Sequence, residues 1–434
     1  MINSAASLKH DSRASLLLLP VPHFTAQYRT PLAAALLRLS HEHTVLAPAP
    51  PPTLVIAVQA PGSFTHWKSI QALIAEFYAL VASICSRHNI YCDSVGDELG
   101  TVDARLILVQ PASTSPIGNF LSLADVASRH WKNVFYPSCG SGRALQQVFA
   151  SCAEEKNVKL LPAQVIAVDS GNDSGQHNKA NDMVREPQLA ALERYNTVCL
   201  GGTFDHLHPG HKLLLHAAVM LLRLPLLQDA QQTTCCTLII GISGDELLVK
   251  KQFADELQSW DLRARCVIDF LATVLDANAG MTPIKMTASP IETSIYGQPS
   301  IDLNSKQPNG SSPPELRALF RNDTVLVRCV NIQDAYGPTV VEEHIDAIVV
   351  SAETRAGALA INDRRNHRGW HELDVFEIDV LDIVSDQGDD GYDQDVKSTA
   401  EHDRHDTTNH FASKISSTEI RRRKAEARRQ KSGP

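Results

Sequence analysis

The chain has 434 residues, 43% of them hydrophobic and 21% charged, with 40 Lys and Arg against 49 Asp and Glu, a formal net charge of -9. That length suits two domains better than one, and the apolar fraction is sufficient for packed cores, which excludes a wholly disordered chain. The mild acidic excess argues against a general nucleic-acid binder, whose affinity comes from neutralising phosphates with Lys and Arg, and leaves room for a small basic pocket. Nine cysteines form no CxxC pair, Cys235 and Cys236 being neighbours. They read as thiols buried as small hydrophobes in a reducing compartment, not as a disulfide or zinc framework. No stretch approaches the ~18 apolar residues needed to span a bilayer. The apolar run 16–19 is broken by Pro20 and Pro22 with Asp11 upstream, a poor signal peptide. The expectation is a cytoplasmic protein with no membrane and no nucleic-acid partner.

In chain order, residues 1–168 read as one α/β domain whose role the sequence does not reveal. Residues 53–58 and 105–110 are strand-like apolar runs, 163–168 is a further strand, and 144–153 is a helix candidate. Between them, residues 67–88 carry helical spacing through Ile70, Leu73, Ile74, Phe77, Leu80, Val81 and Ile84. Gly140-Ser141-Gly142-Arg143 lacks the GxxxxGK[ST] pattern and the lysine that reaches the β/γ-phosphates, so it is no kinase-type phosphate loop. Residues 169–194 form a polar, flexible linker, and a second domain covers 195–424. Two stretches inside it, 277–314 and 386–409, read as disordered insertions, and 425–434 as a basic tail. His402, His405 and His410 have polar company that fixes no metal geometry, so no metal site is assigned.

The informative block is 195–222, YNTVCLGGTFDHLHPGHKLLLHAAVMLL. A buried strand over 196–200 ends in Gly201-Gly202, where the backbone can turn sharply and approach a ligand. Thr203, Phe204 and Asp205 follow, then His208-Pro209-Gly210-His211 and an apolar helix. Proline fits the first turn of a helix, so His208 and His211 stand at a helix N-terminus just past a strand end. In open α/β sheets that is where ligands bind, and free N–H groups there favour phosphate. At the other end of the domain, Ser416 with Glu419 three residues on is a capping box, predicting a helix from about Ser417. Its first turn offers the hydroxyls of Ser416, Ser417 and Thr418 with Arg421 one turn later, a cradle for a polyphosphate. Asp261 is the predicted cap of a helix running to about Leu275, and 324–331 and 345–351 read as central strands.

GGTFDHLHPGH resembles the HxGH signature of the nucleotidyltransferase superfamily and is closest to phosphopantetheine adenylyltransferases of the eukaryotic type, as found in bifunctional coenzyme A synthase. The resemblance continues in GISGDELLVKK (241–251), in DAYGPT (334–339), in VSAET (350–354) with Gly357, Asn362 and Arg365, and in KISSTEIR (414–421). It implies a Rossmann-like, doubly wound parallel sheet of nucleotidyltransferase type preceded by a second α/β domain. The reaction implied is attack of 4′-phosphopantetheine on the α-phosphorus of ATP, giving dephospho-coenzyme A and pyrophosphate in coenzyme A biosynthesis. His211, His208 and Lys250 would be catalytic. Gly202, Thr203, Phe204, Asp205, Lys251, Arg364 and Arg365 would bind substrate. Ser416, Ser417, Thr418 and Arg421 would bind the ATP phosphates. The choice between Lys250 and Lys251, and between Arg365 and its neighbour Arg364, stays open. Mg2+ would come with ATP, held mainly by substrate oxygens and water. Other HxGH enzymes, the cytidylyltransferases and the nicotinamide-mononucleotide adenylyltransferases, are alternatives. A non-catalytic scaffold for coenzyme A enzymes is a third. With no P-loop after Arg421, phosphorylation of dephospho-coenzyme A is not expected.

Overall fold

The computed structural model describes residues 14–45, 50–61, 66–95, 98–110, 119–171, 194–224, 235–279, 286–289, 315–379, 381 and 416–431. The first sheet is built from β1 (Ala14–Leu19), β2 (Thr53–Gln59), β3 (Asp103–Val109), β4 (Val134–Pro137) and β5 (Val165–Val168). Its strands are all parallel in the order β3-β2-β1-β4-β5. The helices of this half are α1 (Arg29–Val45), α2 (Trp67–His88), α3 (Leu123–Ala127) and α4 (Gly140–Glu155). A parallel sheet is covered on both faces, which is why β1, β2 and β3 read as near-continuous apolar runs. The run 16–19 thus forms most of β1, the central strand of this sheet.

Among the described residues α2 is the one helix long and apolar enough to cross a membrane, at 22 residues, contrary to the expectation that no stretch approaches this. It is two-thirds buried inside the fold. Thirteen of its side chains, from Trp67 to Cys85, pack into the core. Of the two glycines opening α4, Gly142 has a packing role. A Cβ at Gly142 would lie 2.2 Å from the Pro137 carbonyl oxygen, so glycine lets the helix start tight against the end of β4.

The second half contains β6 (Thr197–Gly202), α5 (Pro209–Val219), β7 (Cys236–Ser243), α6 (Asp245–Leu248), α7 (Trp260–Asp276) and β8 (Met286–Ser289). They are followed by β9 (Glu315–Phe320), β10 (Val325–Ile332), β11 (Ala347–Val350), α8 (Arg355–His367), β12 (Asp374–Glu377) and α9 (Ser417–Lys431). These strands form a seven-stranded sheet in the order β12-β11-β6-β7-β10-β9-β8. The first five are parallel, as the resemblance implies. The last two run antiparallel at the edge. The strand β8 lies inside the stretch expected to be wholly disordered, pairing Met286–Ser289 with Ala318–Glu315. Residues 290–314, the insertion at 386–409 and most of the linker lie outside the described residues. The cap of α7 is Ser259 rather than Asp261, its hydroxyl accepting from the Leu262 N–H. Asp261 sits in the first turn, paired with Arg265.

The two halves share one apolar core that runs from Leu17 and Leu54 through Phe77 to Leu213 and Phe270. Polar ties cross the boundary. The Trp67 indole donates to the Ala217 carbonyl at 2.9 Å, and the Asn119 amide to the Val219 and Leu222 carbonyls. Asp103 and Arg105 of β3 meet Lys212 of α5 and Asp269 and Thr273 of α7 in a buried ionic cluster. Each charge there has opposite-sign company, which is the condition for burying it.

Candidate active site

The scattered motif segments become neighbours through sheet register. Gly202 at the end of β6 lies beside Ile242, and Ser243 at the end of β7 beside Ile332 of β10. On the other side Leu200 pairs with Val349, so Ser351 leaves β11 at the same edge. The chain order reverses between β6 and β11, the switch point at which open α/β sheets bind ligands beyond their carboxyl ends. The GGTFDHLHPGH, GISGDE, DAYGPT and VSAET segments all leave strands at this one edge.

The loop from β6 to α5 is held tightly. Phe204 and His206 both have positive φ, 51° and 46°, a conformation that persists in non-glycine residues only when surroundings enforce it. Here they do. Phe204 is fully buried, and the Asp205 carboxylate accepts from the Gln258 N–H at 3.0 Å and from Arg421 at 2.6 Å. The Ser417 hydroxyl donates to the Asp205 carbonyl at 2.8 Å. The starts of α5 and α9 therefore meet across Asp205, although 212 residues separate Asp205 from Ser417. The predicted start of the closing helix at Ser417 agrees with the structure, with the Ser416 hydroxyl accepting from the Glu419 N–H.

His208 is the N-cap of α5 and Pro209 its first residue. The His208 and His211 rings stack with centroids 3.9 Å apart, and Phe204 supports His211 from 5.3 Å. Neither Nδ1 has a hydrogen-bond partner among the described residues. Burial, with the Lys212 charge second, pushes the His208 pKa down to about 3. Burial and then the charges of His208 and His206 hold His211 well below its ordinary value. Both imidazoles are neutral at pH 7.

His206 behaves oppositely. Burial alone would lower its pKa, but the hydrogen bond and charge of Asp93, with Asp205 nearby, outweigh that and raise it. Its Nδ1 lies 3.1 Å from Asp93 Oδ2 and its Nε2 2.9 Å from the Glu256 carbonyl. The first half of the chain thus supplies a side chain to the motif loop.

Several residues expected to bind substrate have other work. Phe204 and Asp205 are wholly inside, the first packed under His211 and the second ion-paired. Arg421 is also buried. Its guanidinium donates to Asp205, to the Gln252 carbonyl and to the Thr418 hydroxyl, which clamps the loop to the start of α9. Arg365 is fully buried and donates to the carbonyls of Thr339, Glu342, Glu343, Ile345 and His371. Ile345 precedes β11, so Arg365 sits at the amino end of that strand, away from Ser351 and the motif edge. It is not the extra cation over the phosphates. Its neighbour Arg364 is exposed and lies on the Tyr336 ring at 3.8 Å. A cavity of about 440 Å3 also opens at the amino ends of β6 and β7, lined by Thr197, Thr237, Arg328, His344 and Trp370, and is not part of the motif edge.

What remains open at the motif edge is Gly202, Thr203, His208, His211, Ser416, Ser417 and Thr418, partly exposed, with Lys250 and Lys251 exposed just after α6. Neither lysine makes an ion pair among the described residues. Sequence reasoning passed over Arg263, which is fully buried and donates to the Gln258, Thr203 and Ser243 carbonyls and to Asp245. It ties the ends of β6 and β7 to the start of α6. Its only sequence signal is a charge on the apolar stripe of an otherwise core-facing helix.

Residues 4–173 match the family model described as a domain of unknown function, DUF8446. An uncharacterized protein of Schizosaccharomyces pombe, C1F12.08, is 27% identical over 303 residues, 68% of this chain and 71% of that protein. The Saccharomyces cerevisiae protein named phosphopantetheine adenylyltransferase is 26% identical over 223 residues, 51% of this chain and 52% of its own length. A protein of the same name from Pyrococcus horikoshii is 25% identical over 190 residues, 44% of this chain and 82% of its own. The last two proteins carry the same name. They are distant, and they match about half of this chain.

Proposed function

We propose that this protein transfers the adenylyl group of ATP to 4′-phosphopantetheine, forming dephospho-coenzyme A and releasing pyrophosphate. The observation that carries the reading is the bonding of the α9 start, with its three hydroxyls, to the loop that presents His208 and His211 at the sheet's switch point. The names of the distant relatives support it.

The attacking phosphate is already anionic, so the protein's task is to bring two polyanions together and hold the charge of the transition state. The stacked histidines, neutral before substrate arrives, meet a triphosphate at a helix N-terminus. Its charge favours the protonated ring and draws a proton onto the pair, so His211 donates to the α-phosphate as charge develops. His208 places the triphosphate. Thr203 and Lys250, with Lys251 adjacent, hold the phosphopantetheine phosphate. Ser416, Ser417 and Thr418 receive the β/γ-phosphates as pyrophosphate forms. ATP enters as its Mg2+ complex. Mg2+ would be held mainly by phosphate oxygens and water.

The test is pyrophosphate release from ATP with phosphopantetheine. The His211→Ala variant is expected to lose at least about a hundredfold in kcat, the scale on which one preorganised charge-stabilising donor acts. Turnover of CTP, or of ATP with nicotinamide mononucleotide but not phosphopantetheine, would replace this reading with another HxGH activity. No turnover with any of these substrates would leave a scaffold.

A further inference from the structure

Two thiols outside the motif edge stand in contact. Cys85 lies in the last turn of α2, and its carbonyl accepts from the N–H of Asn89, which has the left-handed conformation that ends the helix, and from that of Ile90. This reversal brings Cys92 back beside Cys85, their sulfurs 2.9 Å apart. That is within ~1 Å of the S–S bond length of about 2.05 Å. The returning segment is fixed by the bridge of Tyr91 to Thr101, with the Val102 N–H on the Tyr91 carbonyl at 2.8 Å. Cys85 is buried and Cys92 half-buried, so a small oxidant meets Cys92 first.

We propose that Cys85 and Cys92 are a dithiol redox site that a glutathione-type disulfide closes to an intramolecular disulfide, and that closure reaches the motif loop through Asp93. Asp93 is the next residue, and its carboxylate holds His206 at 3.1 Å and lies 3.8 Å from the Lys424 ammonium. The effect on turnover rests on the adenylyl-transfer reading; the dithiol itself does not. Charge is arranged for the first step. The contact between the two sulfurs lowers the Cys92 pKa, with Lys212 adding its positive charge, and pushes that of Cys85 up. The Cys92 thiolate attacks one sulfur of the oxidant, breaking its S–S bond and releasing one glutathione thiolate, which takes up a proton. Cys85, losing its proton, then attacks the Cys92 sulfur and releases the second glutathione. Two protein thiols are oxidised and one external disulfide is reduced.

Trypsin cleaves after Arg87, between the two cysteines, placing them in peptides 69–87 and 88–105 with one cysteine each. The full chain, incubated with oxidised glutathione, alkylated and digested without reduction, is expected to lose two hydrogen atoms and to yield these peptides joined. In Cys85→Ser the reaction should stall as a glutathione adduct on Cys92. A wild-type chain that stops at that adduct, or links Cys92 to another cysteine, overturns the dithiol. Pyrophosphate release measured before and after oxidation should change severalfold in wild type and stay constant in Cys92→Ser. An unchanged kcat in a chain shown to carry the bond overturns the link to the loop. If neither state turns over ATP with phosphopantetheine, the adenylyl-transfer reading fails while the peptide map still decides the dithiol.

Discussion

At the residue scale, the arginines divide by what their guanidinium groups already hold. Arg421 and Arg365 are both almost fully enclosed, one on a carboxylate and the other on five backbone carbonyls. Removing either leaves buried acceptors without donors, and breaking a buried pair costs about 3–5 kcal/mol. Arg365→Met and Arg421→Met are therefore expected to lower Tm by several degrees in thermal unfolding, about 2–4 °C per kcal/mol in a domain of this size. Arg365→Met should leave the KM for ATP near the wild-type value; a KM raised tenfold in a stably folded Arg365→Met would return that residue to the phosphates. Arg421→Met should lower kcat as well, because the Asp205 loop loses its anchor.

At the element scale, α5 carries histidines that the fold keeps neutral. His216 is fully buried with no hydrogen-bond partner for either ring nitrogen among the described residues, and burial pushes its pKa down to about 3. His208, at the cap, is pushed equally low. Below the ordinary value of 6.5 the unfolded chain binds protons that the folded helix refuses. Unfolding then takes up protons, so stability falls as pH drops from 6.5 towards 3. His206 has the opposite sign. Its raised pKa gives stability that is complete below 6.5 and lost as pH rises through the folded value. Urea unfolding between pH 5 and 7 should show the first slope, and His216→Leu should reduce the proton uptake on unfolding by about one per molecule. An unchanged slope in that variant would mean that His216 is protonated in the fold.

At the scale of the whole molecule, the first sheet is a buttress for the motif helix. Lys212 follows His211 directly, is fully buried, and donates to Asp103 and to the Ala104 carbonyl of β3. Lys212→Met strands Asp103 beside Arg105 alone and is expected to cost about 3 kcal/mol, read as a lowered urea midpoint. Adding Asp103→Asn should recover part of that loss, since coupled neighbours are not additive. Strict additivity would show that the contact is packing and not charge.

The amino-acid sequence determined what local chemistry can write. Gly201-Gly202, the Pro209 helix start, the Ser416 cap and the apolar runs of β2, β3 and β10 are legible because turns, caps and buried parallel strands follow rules spanning a few residues. The sequence also held the order of the motifs, from which the reaction class was inferred. Short strands such as β4 and β12, with four residues each, left too little periodicity to read. Only the tertiary structure decided which charges are buried against partners and which stay exposed. Arg421 meets its carboxylate 216 positions away, His206 meets Asp93 across 113, and Lys212 meets Asp103 across 109. The state of a buried charge depends on partners that sequence spacing does not bring together. Folding does that by joining the two halves through α2, α5 and α7 in one core.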